Sequence, residues 1–174
     1  MATQISSKPS SSRVILVTGA SGGIGQAVIR RLRRDGARLA AFDALPVRSG
    51  RAVLSLRGDA TCEADVVDAV ARTVDRHGRL DALVHAVGRV GSGGIEACSL
   101  EQWRSQLAAN LDSAFLFCRA AAPHLAASQG SVVLFSSTNG RTGGSAVSGV
   151  AYAVAKAGIL NLARFLARDW AEAG

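Results

Sequence analysis

The sequence predicts a three-layered α/β/α domain built on a doubly wound parallel sheet, with about five strands in the order 3-2-1-4-5. Two observations carry this expectation. From Arg13 onward, short apolar runs alternate with stretches of helical periodicity, the pattern of a parallel sheet flanked by helices. A glycine-rich turn follows the first of these runs directly and opens a helix, as in folds that bind a ligand at the ends of their strands.

The elements follow in order. Val14 to Val17 is the first strand, and Ile24, Val28 and Leu32 then line one face of a helix, with Ile24 fixing that helix to the sheet. Leu39 to Phe42 is the second strand and ends at Asp43; Ala52 to Leu56 is the third and ends at the Arg57-Gly58-Asp59 turn. Val66, Val67, Val70, Ala71 and Val74 repeat with a helical period as far as His77-Gly78, where glycine supplies a C-terminal cap. Leu80 to Val87 is the fourth strand. Ser99 and Gln102 have the spacing of a capping box, which starts a helix from Leu100 to about Ala127. Its apolar residues exceed one face, so a partner surface is expected there. Ser131 to Phe135 is the fifth strand, a glycine- and serine-rich loop follows, and Val150 to Ala173 is the final helix. Met1 to Ser12 is polar and serine-rich and is expected to be a disordered tail, which leaves one domain over 13–174.

Composition narrows the function classes. With 174 residues and 48% hydrophobic content, the chain can bury one sizeable core. No apolar run is expected to approach the roughly 18 residues needed to cross a bilayer, and the opening segment lacks the apolar stretch of a secretory signal. No membrane partner is therefore expected, and the cytoplasm is the expected location. The 3 cysteines form no C-x-x-C pair, which argues against a disulfide framework, a zinc site or any other metal centre. A net charge of +7 raises the question of nucleic acid, but the arginines are scattered. Their densest group, Arg30, Arg31, Arg33 and Arg34, reads as the solvated face of one helix, and no nucleic-acid partner is expected. A negatively charged dinucleotide would also suit a basic protein.

Thr18-Gly19-Ala20-Ser21-Gly22-Gly23-Ile24-Gly25 lies between the first strand and the first helix, where a Rossmann-like fold binds a pyrophosphate. Glycine lets the backbone turn tightly and approach a phosphate, and the helix N-terminus offers free N–H groups. Asp43, ending the second strand, stands where a carboxylate accepts hydrogen bonds from the adenosine ribose, which favours NAD over NADP. Arg48 or Arg51 could still approach a 2′-phosphate. Asp59 is either a contact for the adenine ring or a turn-forming aspartate.

Tyr152 and Lys156 are one helical turn apart, so both side chains reach the same face. An ammonium beside a phenol favours the phenolate, the form that exchanges a proton with an alcohol or carbonyl. Four segments in order now carry a resemblance. Thr18 to Gly25, Asn110-Leu111, Leu134-Phe135-Ser136-Ser137 and Tyr152 to Lys156 resemble the glycine turn, the helical asparagine, the serine-bearing strand end and the Y-x-x-x-K pair of the short-chain dehydrogenase/reductase family. The likeness spans nearly all of the chain after the tail.

That resemblance implies an NAD(P)(H)-dependent oxidoreductase interconverting an alcohol and a ketone or aldehyde on a small-molecule substrate. It implies Tyr152 as general acid/base, Lys156 as its electrostatic partner and ribose ligand, Ser137 as donor to the substrate oxygen, and Asn110 as holder of a relay water. Ser136 is the alternative to Ser137. The implied cofactor contacts are Thr18, Gly19, Ser21, Gly22, Gly23, Ile24, Gly25, Asp43, Asp59, Ala86, Gly88, Tyr152 and Lys156. A homo-oligomer through the helices 100–127 and 150–173 is also implied. For Ser137 and Asn110, a turn-forming serine and a structural helical asparagine are the other readings.

Three departures stand against the family pattern. His85-Ala86-Val87-Gly88 replaces the usual N-N-A-G, so His85 either ties the strand through its polar atoms or simply packs. The stretch from Ser137 to Tyr152 is slightly longer than usual. Family members usually continue with a sixth strand, a nicotinamide-contacting segment, a substrate loop and a seventh strand, whereas this sequence stops at Gly174. A fragment, a chain completed by a partner and a compact variant are the competing expectations, with an exposed edge on the fifth strand. The alternative function is accordingly a truncated, catalytically inactive nucleotide-binding or interaction module.

Overall fold

The computed structural model describes residues 13–47 and 53–171. Among them, β1 (Val14–Thr18), β2 (Arg38–Asp43), β3 (Val53–Arg57), β4 (Ala82–His85) and β5 (Ser131–Leu134) form one parallel sheet in the order β3-β2-β1-β4-β5. The expected order is the observed one. The helices are α1 (Gly23–Arg34), α2 (Glu63–His77), α3 (Leu100–Leu107), α4 (Ser113–Ser128), α5 (Asn139–Thr142) and α6 (Val150–Asp169), with a π turn at Ala108–Asp112 joining α3 to α4.

The two-residue period of the strands divides the core between two layers. Leu16, Ala40, Phe42, Leu56 and Leu83 face Val66, Ala69 and Val70 of α2 and Phe117, Cys118, Ala121 and Leu125 of α4, with Leu166 of α6 at the margin. Ile15, Val17, Leu39, Ala41 and Val84 face Ile29 of α1, flanked by Val28 and Leu32. Phe117 is fully buried, with its ring edge-on to Phe42 at 5.1 Å between centroids and 5.5 Å from the ring of His85. Asp81 starts the central strands in register, because its Oδ2 accepts from the Val14 N–H at 2.9 Å and from Arg79 Nε at 2.8 Å.

Several expectations shift. Ile24 does not fix α1 to the sheet: it is 51% exposed, and Gly25 and Ile29 are the buried residues of that helix. On α2, Val67 and Ala71 are exposed, while Ala69 joins Val66 and Val70 inside. β4 and β5 are shorter than their apolar runs, and the glycine- and serine-rich loop after β5 contains the short α5. The long helix from Leu100 is interrupted by the π turn and reaches Ser128, while the last helix ends at Asp169, with its C-terminal cap at Trp170. α6 has 20 residues at a mean hydropathy of 1.4, long and apolar enough to cross a membrane by length and composition. Its buried Ala151, Ala153, Ala155, Lys156 and Ile159 hold one side of it against the domain, while Val154 and Phe165 are exposed. The predicted tail, Ala52, Arg48 and Arg51 lie outside the described residues.

Two boundary signals hold as read. Ser99 Oγ accepts from the Gln102 N–H at 3.1 Å, and Gln102 Oε1 accepts from the Ser99 N–H at 2.9 Å, a complete capping box. Gly78 closes α2 in the left-handed conformation, its N–H donating to Val74 O.

Removing the ring of Phe117 leaves a cavity against both Phe42 and His85. Phe117→Ala should lower the unfolding free energy by about 3–5 kcal/mol, read from urea denaturation. Phe165→Ala, at a position 62% exposed, should stay within about 0.5 kcal/mol of the parent.

Candidate active site

The site begins where β1 gives way to α1. Gly19 has φ +67°, and a Cβ there would stand 2.5 Å from the Ala86 carbonyl oxygen, so only glycine lets this turn lie on the end of β4. A Cβ at Gly25 would stand 2.2 Å from Gly19 O and 2.8 Å from Ala20 Cα, which shows how closely the first helical turn folds back on the loop. Gly23, by contrast, has open space around it. The helix starts at Gly22 with no side-chain cap and no acidic residue in its first turn. Gly22 N–H donates to Gly19 O, and the regular ladder starts with Gln26 N–H to Gly22 O. The intervening N–H groups at Gly23, Ile24 and Gly25 have no acceptor among the described residues, which fits an anion at this helix end.

Asp43 closes the second side. Its Oδ2 accepts from the Ser21 N–H and its Oδ1 from the Leu45 N–H, both at 2.9 Å. The carboxylate thus organises the turn that joins the end of β2 to the glycine loop. Asp59 behaves as a turn former, its Oδ1 accepting from the Thr61 N–H and Oγ1, both at 2.8 Å.

His85 ties the strand through its polar atoms. Ser113 Oγ lies 2.8 Å from the Ala109 carbonyl, which can only accept, so the serine spends its hydrogen there. The imidazole Nε2, 3.2 Å from Ser113 Oγ, must therefore carry the hydrogen. Nδ1 is then the acceptor, and Thr18 Oγ1–H donates to it at 2.8 Å. Thr18, expected to contact the cofactor, has its hydroxyl committed to His85. Burial, aided by the Lys156 charge, pushes the His85 pKa down to about 3, so the ring is neutral in the folded chain.

The third component gathers at the ends of β4 and β5. Asn110, in the π turn, is buried, and its Oδ1 accepts from the Arg89 N–H at 3.1 Å. Its Nδ2 faces Arg89 O at 3.0 Å, Gln106 O at 3.0 Å and Gln106 Oε1 at 2.9 Å. A Cβ at Gly88 would lie 2.7 Å from Asn110 Oδ1 and 3.2 Å from Lys156 Nζ, so Gly88 is the point at which those two side chains converge. Lys156 Nζ donates to Phe135 O at 2.9 Å and lies 5.7 Å from the centroid of the Tyr152 ring. Burial holds the ammonium below its ordinary range.

Ser136 Oγ donates to Lys156 O at 2.7 Å and clamps β5 to α6. Ser137 Oγ accepts from the Asn139 N–H at 3.2 Å. Among the described residues Ser137 has no hydrogen bond to Tyr152. The structure therefore gathers Gly88, Asn110, Tyr152 and Lys156, and the side-chain hydrogen bond of Ser137 among the described residues is the one it accepts from Asn139.

Two clefts matter. The groove between β5 and the end of α6, lined by Val132, Leu134, Leu166 and Trp170, is apolar and holds none of this chemistry. The other, of about 300 Å³, has Tyr152 in its wall together with Arg89, Gln102 and Gln106. Sequence reasoning missed Arg89 and Gln106. Gln106 lies one helical turn before Asn110, a spacing that could have flagged it; nothing in the sequence singles out Arg89.

A family model described as short chain dehydrogenase matches residues 13–174. The chain is 33% identical to L-fucose dehydrogenase of Oryctolagus cuniculus over 93% of its length, and 34% identical to D-threitol dehydrogenase of Mycolicibacterium smegmatis, also over 93%. It spans 59% and 66% of those two relatives, less than two thirds of each. A solved short-chain dehydrogenase/reductase from Serratia marcescens superposes with a TM-score of 0.86 at 32% identity, covering 95% of this chain and 76% of the other.

Gly25→Ala forces backbone against backbone, so thermal stability should fall. Gly23→Ala meets nothing and gains up to about 1 kcal/mol of helix propensity. A thermal melt of both variants checks the contrast.

A second outcome concerns pH. The unfolded chain protonates His85 near the ordinary value of 6.5, whereas the folded chain resists until about 3. The unfolded state therefore binds more protons in this window. The stability contributed by the neutral ring is fully present above about 6.5 and is lost as pH falls toward 3, by up to about 1.4 kcal/mol per pH unit. His85→Asn should flatten the dependence of unfolding free energy on pH between 6.5 and 4; parallel curves for variant and parent would contradict the assignment.

Proposed function

The chain belongs to the short-chain dehydrogenase family, and from that membership we propose that it is an NAD(P)(H)-dependent oxidoreductase that interconverts an alcohol and a ketone or aldehyde. The observation that carries the reading is the convergence of Gly88, Asn110 and Lys156, with Tyr152 one turn away, beside an uncapped glycine-rich helix N-terminus. The relatives named L-fucose dehydrogenase and D-threitol dehydrogenase support a small hydroxyl-bearing molecule as the substrate class.

The dinucleotide, held over Gly19 to Gly25 by backbone N–H groups, would supply or accept the hydride. Tyr152 Oη gives a proton to the carbonyl oxygen on reduction and takes one from the alcohol on oxidation. Lys156, anchored by Phe135 O, sets its ammonium beside the Tyr152 ring. Its remaining two hydrogens are available to ribose hydroxyls and to a proton path. Asn110 keeps the backbone at Arg89 fixed through both ends of its amide, and the relay water is assigned to that side of Lys156. Ser137 donates to the substrate oxygen, with Ser136 tied to the α6 backbone instead.

NAD is the preferred cofactor in this proposal, because the Asp43 carboxylate next to Ser21 meets a 2′-phosphate with like charge. Assembly into a homo-oligomer through the α4 and α6 surfaces is supported by the exposed Phe115, Val154 and Phe165. A cytoplasmic place of action is supported by the free thiols of Cys62, Cys98 and Cys118.

The test is carbonyl reduction by the purified chain with NADH over a panel of ketones and aldehydes. Tyr152→Phe should lower turnover by about 100-fold or more while NADH affinity stays within about twofold of the parent. Undiminished turnover in that variant, or a parent chain that does not bind NADH, contradicts the proposal.

A further inference from the structure

The cleft beside Tyr152 is rich in hydrogen-bond donors, and its chemistry can be read atom by atom. Arg89 is its one ionised side chain among the described lining residues, and no carboxylate lines it. The orientation of both glutamine amides follows from their partners. Asn110 Oδ1 must face the Arg89 N–H, and its Nδ2 must face the Arg89 carbonyl, because the backbone groups have fixed roles. Gln106 therefore turns its oxygen to Asn110 Nδ2 at 2.9 Å and keeps its NH2 for the cleft, where Nε2 lies 3.3 Å from a Cβ built on Gly91. Gln102 is oriented the same way, since its oxygen accepts from the Ser99 N–H at 2.9 Å. Both amides thus present donors.

The guanidinium of Arg89 hydrogen-bonds Ser105 Oγ, a neutral partner that steadies the side chain without cancelling its charge. Glu101 lines the adjoining cleft, which shares Arg89, Gln102 and Gln106, but it forms no ion pair with Arg89 among the described residues. A pocket of about 300 Å³ lined by one arginine and two outward NH2 groups has unused donors and few acceptors. An arginine fork matches the paired oxygens of a carboxylate or phosphate.

The geometry points to an anion subsite in this cleft: Arg89, assisted by Gln102 and Gln106, grips a carboxylate or phosphate carried by the molecule whose oxygen meets Tyr152. The inference deepens the oxidoreductase reading and rests on it for the identity of that molecule as substrate. Arg89 is then the residue that selects an anionic oxo compound over its neutral counterpart.

Matched probes test it on the full chain by isothermal titration without cofactor. Levulinate is compared with methyl levulinate, and dihydroxyacetone phosphate with dihydroxyacetone. The anionic member of at least one pair should bind about tenfold or more tightly, and the pair with the larger ratio distinguishes carboxylate from phosphate. Arg89→Met should bring both ratios near one, Arg89→Lys should retain part of the preference, and NADH affinity should be unchanged in each. Arg89→Gln carries the same test if the methionine variant does not fold.

Equal binding of the members of both pairs by the parent chain overturns the inference, as does a preference that survives Arg89→Met. Weakened NADH binding in the variants also overturns it, because the guanidinium would then serve the cofactor. The two readings fail separately: anion preference without turnover sinks the oxidoreductase and leaves the subsite, and turnover without preference does the reverse.

Discussion

The close seating of the Gly19 turn on the Ala86 carbonyl is the constraint on which the site depends. A side chain at residue 19 would occupy the space of the β4 backbone, so any other residue would lift the start of α1 from the sheet. With glycine there, the loop crosses the ends of β1 and β4 at van der Waals distance. The free N–H groups of α1 then come to rest beside the segment that leads to Gly88, Asn110 and Lys156. The first turn of α1 and the cluster of Gly88, Asn110 and Lys156 thereby share one rim of the sheet, the place where ligand sites in open parallel sheets generally lie.

The second fastening is polar and buried. Thr18 at the end of β1, His85 at the end of β4 and Ser113 just past the π turn form one hydrogen-bonded chain with a determined direction. Each member has its partners, so burial of the ring does not leave an unsatisfied polar atom. The cost lies in the proton: a charged imidazole has no place between Phe117 and the Lys156 ammonium. Where the family pattern has asparagine, this chain holds the same strand end with a neutral histidine in a fixed tautomer.

Much of this was legible in the residues. Strand order and the position of the glycine turn follow from apolar runs alternating with helical stripes, because a buried parallel sheet leaves few other arrangements. The capping box and the left-handed glycine after α2 are local chemistry and were correctly placed. Ile24 was misread because its spacing with Val28 and Leu32 matches a stripe, whereas the approach of Gly25 to Gly19 rotates α1 so that Ile29 points inward. The π turn left no mark in the composition of residues 108–112, since it is settled by the tertiary hydrogen bonds of Asn110 and Ser113. The span-like character of α6 was missed because its Val, Ile, Leu and Phe residues are broken up by Lys156, Asn161 and Arg164 and form no unbroken apolar run. Arg89 could not be seen at all: its importance comes from which cleft it enters, and that depends on contacts far away in sequence.

The proposed function requires a dinucleotide on one rim of this sheet, with its phosphates at the start of α1. Backbone amide shifts recorded by NMR during a titration with NADH test it most directly. Shifts are expected to concentrate at Gly19 to Gly25, Gly88 and the residues around Lys156, with α2 and the groove along β5 undisturbed. Shifts confined to that groove, or none at saturating NADH, would contradict it.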